Sequence, residues 1–257
     1  MTITAPAAAT AHAAGATTDP MRNHSRAAGI FYLLTFVSSI PALILIGPVL
    51  HNADYVTGAG QDTRVLWGCL LDAVNALTAV GSAVALYPVV KRQNGSMALG
   101  FVTSRMLEAA VIMIGVVSLL AVVTMRQDFA GSTGGDAASV TTIASALVDV
   151  RNWTFLLGPG LMPAINAVLL GTLLYRARLV PRIIPTVGLI GAPMLLTAML
   201  ATYFGVIDQV SPVSGFLTLP VAAWELSVGL WMTFKGFRPS PVLPTVVPAD
   251  TEAHPAG

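Results

Sequence analysis

Four ionisable side chains lie inside long apolar stretches of this 257-residue sequence: Asp72, Arg105, Glu108 and Glu225. A charge at the centre of a membrane helix costs about 2.5 to 3.5 kcal/mol on insertion scales, so such residues usually face a partner or a cavity. In that setting, carboxylates and a guanidinium can form ion pairs, exchange protons or contact a solute. These four residues are therefore the first candidates for function.

Residue spacing groups these side chains by helix face. Arg105 and Glu108 are three residues apart in one stretch, and Asp72 and Asn75 are three apart in another, so each pair shares a face. Where the helices adjoin, we expect one guanidinium to meet up to three carboxylates, with the excess acids neutral or exchanging protons. One interpretation is a solute or proton pathway. The alternative is that Arg105 cross-links Glu108 and Glu225 and fixes helix packing, with Asp72 hydrated near the membrane surface and without a role.

A second candidate site lies in the fourth apolar stretch, which reads LLGPGLMPAIN. Its glycines and prolines remove hydrogen bonds and side-chain packing within two turns, so we expect the helix to kink or break there. Interrupted helices near mid-membrane expose backbone groups that bind solutes in transporters, although a simple packing kink also explains the pattern. The residues concerned are Gly158, Pro159, Gly160, Pro163 and, one turn later, Asn166.

The composition excludes the water-soluble classes of protein. Hydrophobic residues make up 55% of the chain and charged residues only 10%, with a mean hydropathy of +0.76, whereas soluble domains carry about 25% charged residues. No basic stretch is longer than Lys91 and Arg92, so nucleic-acid binding is not expected. A single cysteine, Cys69, excludes an intrachain disulfide and thiolate metal clusters.

Six apolar runs are each close to or above the length of about 20 residues that crosses a bilayer. They lack the two-residue alternation of a membrane barrel, so the predicted fold is an all-α polytopic membrane helix bundle. We expect a disordered N-terminal tail over residues 1–25, a six-helix transmembrane domain over 26–238 and a disordered C-terminal tail over 239–257. The predicted spans are 27–50, 65–90, 98–123, 153–175, 183–204 and 215–234.

The distribution of basic residues predicts the orientation. With the N-terminus in the cytoplasm, nine basic residues lie inside and three outside, so both termini are expected in the cytoplasm and the protein in the inner membrane. The inside set is Arg22, Arg26, Lys91, Arg92, Arg176, Arg178, Arg182, Lys235 and Arg238, and the outside set is Arg64, Arg126 and Arg151.

Between the third and fourth spans, apolar residues recur at helical spacing over residues 137–150. This pattern is typical of a short amphipathic helix lying on the outer membrane surface. The alternative is a lid over a cavity.

The sequence carries none of the common catalytic signatures. All four histidines fall outside the spans, so no intramembrane haem, zinc or Ser–His site has the residues it needs. No phosphate-binding loop or dinucleotide fingerprint occurs, and Asp72 is the one aspartate within a predicted span. We therefore expect no catalytic residues, no cofactor and no metal, and we do not expect an enzyme.

Several strings resemble one known family: RAAGIFYLLTFV in the first span, SRMLEAA in the third, LYRARLVPRIIPTVGLIGA joining the fourth and fifth, and WELSVGLWMTFKGF in the sixth. Together they are similar to the bacterial membrane-protein family catalogued as domain of unknown function 4386, over about residues 25 to 238. The resemblance implies a multi-pass membrane protein without an assigned activity. The family's Arg-x-x-Glu matches Arg105 and Glu108, and its Glu before Gly-Leu-Trp matches Glu225, whereas Asp72 and Asn75 have no counterpart.

Two classes of function stay open at this point. The first is a transporter of a small solute or of protons, built around the buried Arg and Glu residues. The second is a non-transporting structural, partner-binding or sensor protein of the membrane, in which the charges only hold the bundle together. Both have the lipid bilayer as a partner and no nucleic acid, and neither identifies a protein partner.

Overall fold

The computed structural model of the chain describes residues 20–52, 54–58, 60–130 and 136–243. Within these residues all regular structure is helical and there is no strand. In chain order the helices are α1 (Pro20–Leu45), α2 (Gly47–His51), α3 (Asp62–Val90), α4 (Gly95–Ala130), α5 (Ala137–Leu157), α6 (Met162–Ala177), α7 (Ile183–Tyr203) and α8 (Pro212–Phe234).

Six segments of the described residues are long and apolar enough to cross a membrane, which confirms the predicted class of a multi-pass membrane helix bundle. Five are single helices. The fourth is the interrupted pair α5 and α6, which together cover Ala137–Ala177. The helices begin up to three residues before the predicted starts of the second, third and sixth spans, and α4 continues to Ala130.

The six spans pack as a closed ring in chain order. Helix α1 packs against α3, α3 against α4, α4 against α5 and α6, α6 against α7, α7 against α8, and α8 against α1. Short connections such as Lys91–Asn94 make sequence neighbours antiparallel neighbours in space. A ring of this kind brings one face of every span to a common centre.

Glycines allow the closest helix contacts in the ring. A Cβ atom on Gly29 of α1 would lie 2.5 Å from the backbone nitrogen of Thr233 in α8, and one on Gly188 of α7 would lie 2.5 Å from the Trp224 ring in α8. Small residues are the usual means of close packing in membranes, where the hydrophobic effect does not hold helices together. Helix α8 is therefore fixed tightly between α1 and α7.

Both ends of the described chain lie at one end of the bundle, which we call the terminal face. Arg22 donates hydrogen bonds to the carbonyls of Phe234 and Lys235, at 2.9 and 2.7 Å. The Ser240 hydroxyl donates to the carbonyl of Ala177. The opposite face carries α2, the start of α3 and the loop between α7 and α8.

These contacts correct the predicted boundaries of the tails. Residues 20–25 belong to α1, and residues 239–243 fold back, with Val242 and Leu243 packed on the core. Helix α1 begins at Pro20 and runs without a break into the apolar stretch, because no Gly or further Pro interrupts residues 21–26. Residues 1–19 and 244–257 of the predicted tails lie outside the described residues.

The segment 137–150 is not a separate helix on the membrane surface. It forms the first part of α5, continuous with residues 151–157, and it packs along α4. Ala144 is a buried member of the hydrophobic cluster nearer the opposite face, and Val140, Leu147 and Val148 pack against the same cluster. Helix α4 has 36 residues, or about 54 Å at 1.5 Å per residue, so it extends well past about 30 Å of hydrocarbon and gives this amphipathic segment an apolar helix to pack on.

Candidate functional site

A polar layer crosses the bundle between two hydrophobic clusters. On α4, Ala98 and Phe101 belong to the cluster nearer the terminal face, and Ala109 and Ile112 belong to the cluster nearer the opposite face. Arg105 and Glu108 lie between them and are 2% and 5% exposed. Arg105 and Glu108 are therefore positioned inside the protein and not towards lipid.

The structure brings Arg105, Glu108 and Glu225 together. The Nη1 atom of Arg105 donates to Oε2 of Glu108 at 3.1 Å, and its Nη2 atom donates to Oε1 of Glu225 at 2.8 Å. Glu225 comes from the middle of α8, nine residues before Phe234, or about 14 Å from that helix end. Because α4 and α8 are not neighbours in the ring, this ion pair spans its centre.

Asn166 joins the same cluster from α6. Its Nδ2 donates to Oε2 of Glu108 at 2.8 Å, and the side chain is 0% exposed. The ring of Tyr32 stacks on the guanidinium of Arg105, with 4.9 Å from Cζ to the ring centroid, and Phe101 lies 5.9 Å away. Aromatic faces stabilise a desolvated cation, so Arg105 is held on two sides by rings and on two others by carboxylates.

Asp72 does not join the Arg105 cluster. Its Oδ2 accepts a hydrogen bond from Nη2 of Arg151 at 3.2 Å, and the two residues are 7% and 6% exposed. The predicted fourth span begins at Trp153 and leaves Arg151 in the preceding loop, whereas in the structure α5 runs through residue 151 and places this side chain inside the protein beside Asp72. The guanidinium of Arg151 also stacks on Phe155, at 4.8 Å. Sequence reasoning missed this residue, although its place beside the apolar run from Trp153 was a signal.

A cavity of about 150 Å³ lies beside the Arg105 cluster, and we call it the central cavity. Every one of the six spans contributes to its wall. Its polar lining includes Asn75, which is therefore near Glu108 and Glu225 although its neighbour Asp72 is not. The full lining is Thr35, Phe36, Ser39, Asn75, Arg105, Glu108, Pro159, Pro163, Leu195, Thr218, Val221, Ala222 and Glu225.

The predicted helix interruption is present at residues 158–161, between the end of α5 and the start of α6. Its backbone is only partly hydrogen-bonded internally: Gly160 donates to Phe155 and Met162 to Gly158, both at 2.9 Å. The carbonyl of Pro159 accepts no hydrogen bond within the described residues, since Pro163 has no N–H to donate. Pro159 and Pro163 line the central cavity, so the break places irregular backbone at the polar centre.

A second cavity, of about 350 Å³, adjoins the central cavity on the side of the opposite face, and we call it the peripheral cavity. It shares Pro159, Leu195, Thr218 and Ala222 with the central cavity and extends to Gln209 and Ser211 in the loop between α7 and α8. On the terminal side, by contrast, side chains at 0% exposure fill the space between the spans. These are Tyr32, Leu86, Phe101, Leu170, Trp224 and Val228. The polar centre thus has a neighbouring cavity on the side of the opposite face and is tightly packed on the terminal side.

A further ion pair lies at the opposite face. Arg126 of α4 donates to Asp62 of α3 at 2.6 Å, with side chains 15% and 17% exposed, and the Tyr55 hydroxyl donates to the same carboxylate at 2.8 Å. Burial of Tyr55 and its hydrogen bond to Asp62 raise the pKa of the phenol well above its usual value. This pair connects the loop after α2 with the start of α3 and the last part of α4. None of its three residues lines the central cavity.

The charge balance determines what the cluster can do chemically. Arg105 contributes one positive charge, and Glu108 and Glu225 contribute two negative charges when ionised, which leaves one negative charge; Asp72 and Arg151 neutralise each other. A buried site with one excess carboxylate must take up a proton or a cation. No group of three or more His, Cys, Asp or Glu side chains that could hold a metal ion occurs in the described part of the chain.

The fold and the site together define a multi-pass helical membrane protein with a polar centre shared by its six spans. The chain belongs to the family described as Domain of unknown function (DUF4386), whose model matches residues 27–236. The comparison with curated proteins gives no match, and neither does the comparison with solved structures.

Proposed function

We propose that this protein is a transporter that carries a small solute through the central cavity and exchanges it for a proton at the Glu108 and Glu225 carboxylates. The observation that carries the proposal is the central cavity itself, which all six spans line and which contains one more buried acid than base. Intramembrane acids facing a cavity are characteristic of solute and proton pathways.

The unequal packing on the two sides of the centre supports the same proposal. In a transporter, a fixed midplane site opens first to one side and then to the other, and interrupted helices line that site. Here the peripheral cavity lies between the opposite face and Pro159, while the terminal side is packed. The arrangement corresponds to one of the two states that such a cycle requires.

Flux through liposomes tests the proposal. Purified protein is reconstituted in liposomes containing a pH-sensitive dye, and panels of amines, amino acids and sugars are added outside. We expect a protein-dependent change in lumenal pH with at least one solute, and Glu225→Gln should abolish it. The matched control is Asp62→Asn, which removes a carboxylate from the ion pair at the opposite face and should leave the signal unchanged.

The competing function is a structural or partner-binding protein whose buried charges hold the helices together, because both Nη atoms of Arg105 already have protein partners. A panel without any protein-dependent flux, combined with loss of folding in Glu225→Gln, would favour it over transport.

The orientation completes the proposal. We propose that the terminal face is cytoplasmic, because nine basic residues lie towards it, and that the protein resides in the inner membrane and is not an enzyme. Single cysteines introduced at the partly exposed positions Gln93 and Gln209, in a Cys69→Ser background, test the orientation with a membrane-impermeant thiol reagent on intact cells. Labelling at position 209 but not at 93 is the expected result.

A further inference from the structure

We infer that the solute of the central cavity is a small protonated amine, an inference that deepens the proposed transport function and takes its physiological meaning from it. Three properties of the central cavity select this chemical class: the hydrogen-bonding state of individual wall atoms, the net charge and the volume.

The carboxylates facing the cavity each keep one oxygen without a protein donor. Glu108 accepts both of its hydrogen bonds, from Arg105 and Asn166, at Oε2, and Glu225 accepts its bond from Arg105 at Oε1. Within the described residues, Oε1 of Glu108 and Oε2 of Glu225 accept none, and neither is fully enclosed by protein atoms. Two strong acceptor sites are therefore open to an occupant of the cavity.

The two threonine hydroxyls of the wall are acceptors as well. Thr35 donates its hydroxyl hydrogen to the carbonyl of Tyr32 at 2.7 Å, and Thr218 donates to the carbonyl of Ser214 at 2.8 Å. A hydroxyl has one hydrogen and two lone pairs, so each of these oxygens can only accept from the cavity. With the two open carboxylate oxygens, the wall has four groups that can only accept, whereas the Ser39 hydroxyl and the Asn75 amide can donate or accept.

The charges exclude an anion and favour a cation. The Nη atoms of Arg105 that could hold an anionic group are bonded to Glu108 and Glu225, and an added anion would place three negative charges around one guanidinium. A cation instead neutralises the excess carboxylate. When it binds to the protonated cluster, one proton leaves a carboxyl oxygen for the aqueous phase, so the net charge of the occupied site stays the same and the two ions exchange.

The size and the apolar part of the wall indicate an organic cation. About 150 Å³ is the volume that holds one benzene-sized molecule, and Phe36, Leu195 and Val221 supply an apolar side. A primary ammonium carries three N–H donors for the acceptors and an alkyl group for this side. A quaternary ammonium has no donors, and an inorganic cation has no apolar part to bury.

Binding of n-butylammonium to the purified protein in detergent tests the inference without requiring transport. Isothermal titration and thermal melting should show saturable binding of n-butylammonium and none of butyrate, tetramethylammonium or sodium at the same concentration. Repeating the titration in two buffers of different ionisation enthalpy should show protons released on binding. Binding of butyrate or of sodium in preference to the amine, or an amine signal identical in both buffers, would overturn the inference.

Variants assign the site. Glu225→Gln should weaken n-butylammonium binding at least about tenfold, which is about 1.4 kcal/mol. Thr218→Val should weaken it about threefold to tenfold, since it removes one acceptor and preserves side-chain shape. The control is Thr197→Val, because Thr197 makes the same hydroxyl-to-carbonyl bond within its helix but is exposed away from the cavity. Equal affinity in Thr218→Val and Thr197→Val, where both fold, would contradict the proposed site.

The outcomes separate this inference from the transport function. Amine binding without flux of any solute overturns transport and leaves the cation site standing. Flux of a neutral or anionic solute without amine binding overturns the cation site and leaves transport standing. Absence of both overturns both.

Discussion

Replacing Arg105 by Met should destabilise the protein by about 3 to 5 kcal/mol, the range for removing one partner of a buried ion pair. Arg105 pairs with Glu108 and Glu225 at 3.1 and 2.8 Å, and its side chain is 3% exposed while theirs are 7% and 14% exposed. The surrounding protein therefore shields both carboxylates from bulk water, and they are left beside each other without the guanidinium. Methionine keeps much of the volume between Tyr32 and Phe101, so the loss is mainly electrostatic.

The measurement is thermal melting in detergent, followed by intrinsic tryptophan fluorescence. For a chain of this size 1 kcal/mol corresponds to about 2 to 4 °C, so the expected fall in Tm is roughly 6 to 20 °C. Arg126→Met is the matched control, because its pair with Asp62 is nearer to water, with side chains 15% and 17% exposed. We expect about 1 kcal/mol there, the upper part of the range for exposed pairs.

A combined variant separates charge from packing. Arg105→Met together with Glu108→Gln and Glu225→Gln leaves no uncompensated charge, and replacing a whole buried ionic group is often neutral or stabilising. The triple variant should therefore recover most of the stability that Arg105→Met loses. If Arg105→Met melts no lower than Arg126→Met, or if the triple variant is less stable than the single one, the conclusion that the two carboxylates depend on Arg105 for their burial is refuted.

Three further changes follow from the structure. Asp72→Asn should cost about 1 to 3 kcal/mol in thermal melting, because it leaves the Arg151 guanidinium buried without its counter-charge, and Asp72→Asn with Arg151→Met should recover it. Gly188→Ala should cost about 1 to 3 kcal/mol, since the new Cβ would lie 2.5 Å from the Trp224 ring, whereas Gly95→Ala, with open space around it, should not. Acidification below about pH 4 should fray the first turn of α5. Hydrogen bonds from Ser139 and Ala138 lower the pKa of the Asp136 carboxyl, so the stability that they give is lost as the pH falls through this lowered pKa. Amide exchange in the first turn of α5, compared between the unchanged protein and Asp136→Asn, measures the fraying.

The fold class was predictable because hydropathy depends on the local sequence alone. Runs of apolar residues long enough to cross a bilayer must be helical, and the six predicted runs correspond to the six segments in the structure. The closed ring of spans was not predictable, since it depends on which face of each helix packs on which neighbour. Gly29 and Gly188 determine two of those contacts, and a glycine in a membrane helix does not identify its partner from sequence.

The members of the polar cluster were only partly predictable, for a physical reason. Spacing along one helix brings Arg105 and Glu108 onto one face, and the place of Glu225 inside the sixth apolar run makes it a candidate partner. Asn166 was considered as part of the helix break, whereas the structure also places it in contact with Glu108. The i, i+3 rule placed Asp72 and Asn75 on one face, yet one contacts Arg151 and the other lines the central cavity. A shared face therefore does not imply a shared partner when several helices converge.

Arg151 shows why a charge near the predicted end of a span is the hardest residue to place. Hydropathy counts the cost of burying a guanidinium but not the gain from a partner on another helix, so it ends the span at Trp153 and leaves Arg151 in the loop. In the structure, Asp72 and Phe155 compensate that cost, and the helix continues through residue 151 to Ala137. The two buried arginines differ in how many carboxylates they compensate. Arg151 pairs with Asp72 alone, whereas Arg105 pairs with both Glu108 and Glu225. The single unbalanced acid therefore belongs to the Arg105 cluster, which adjoins the central cavity. An exchangeable proton or a cationic solute can neutralise it there.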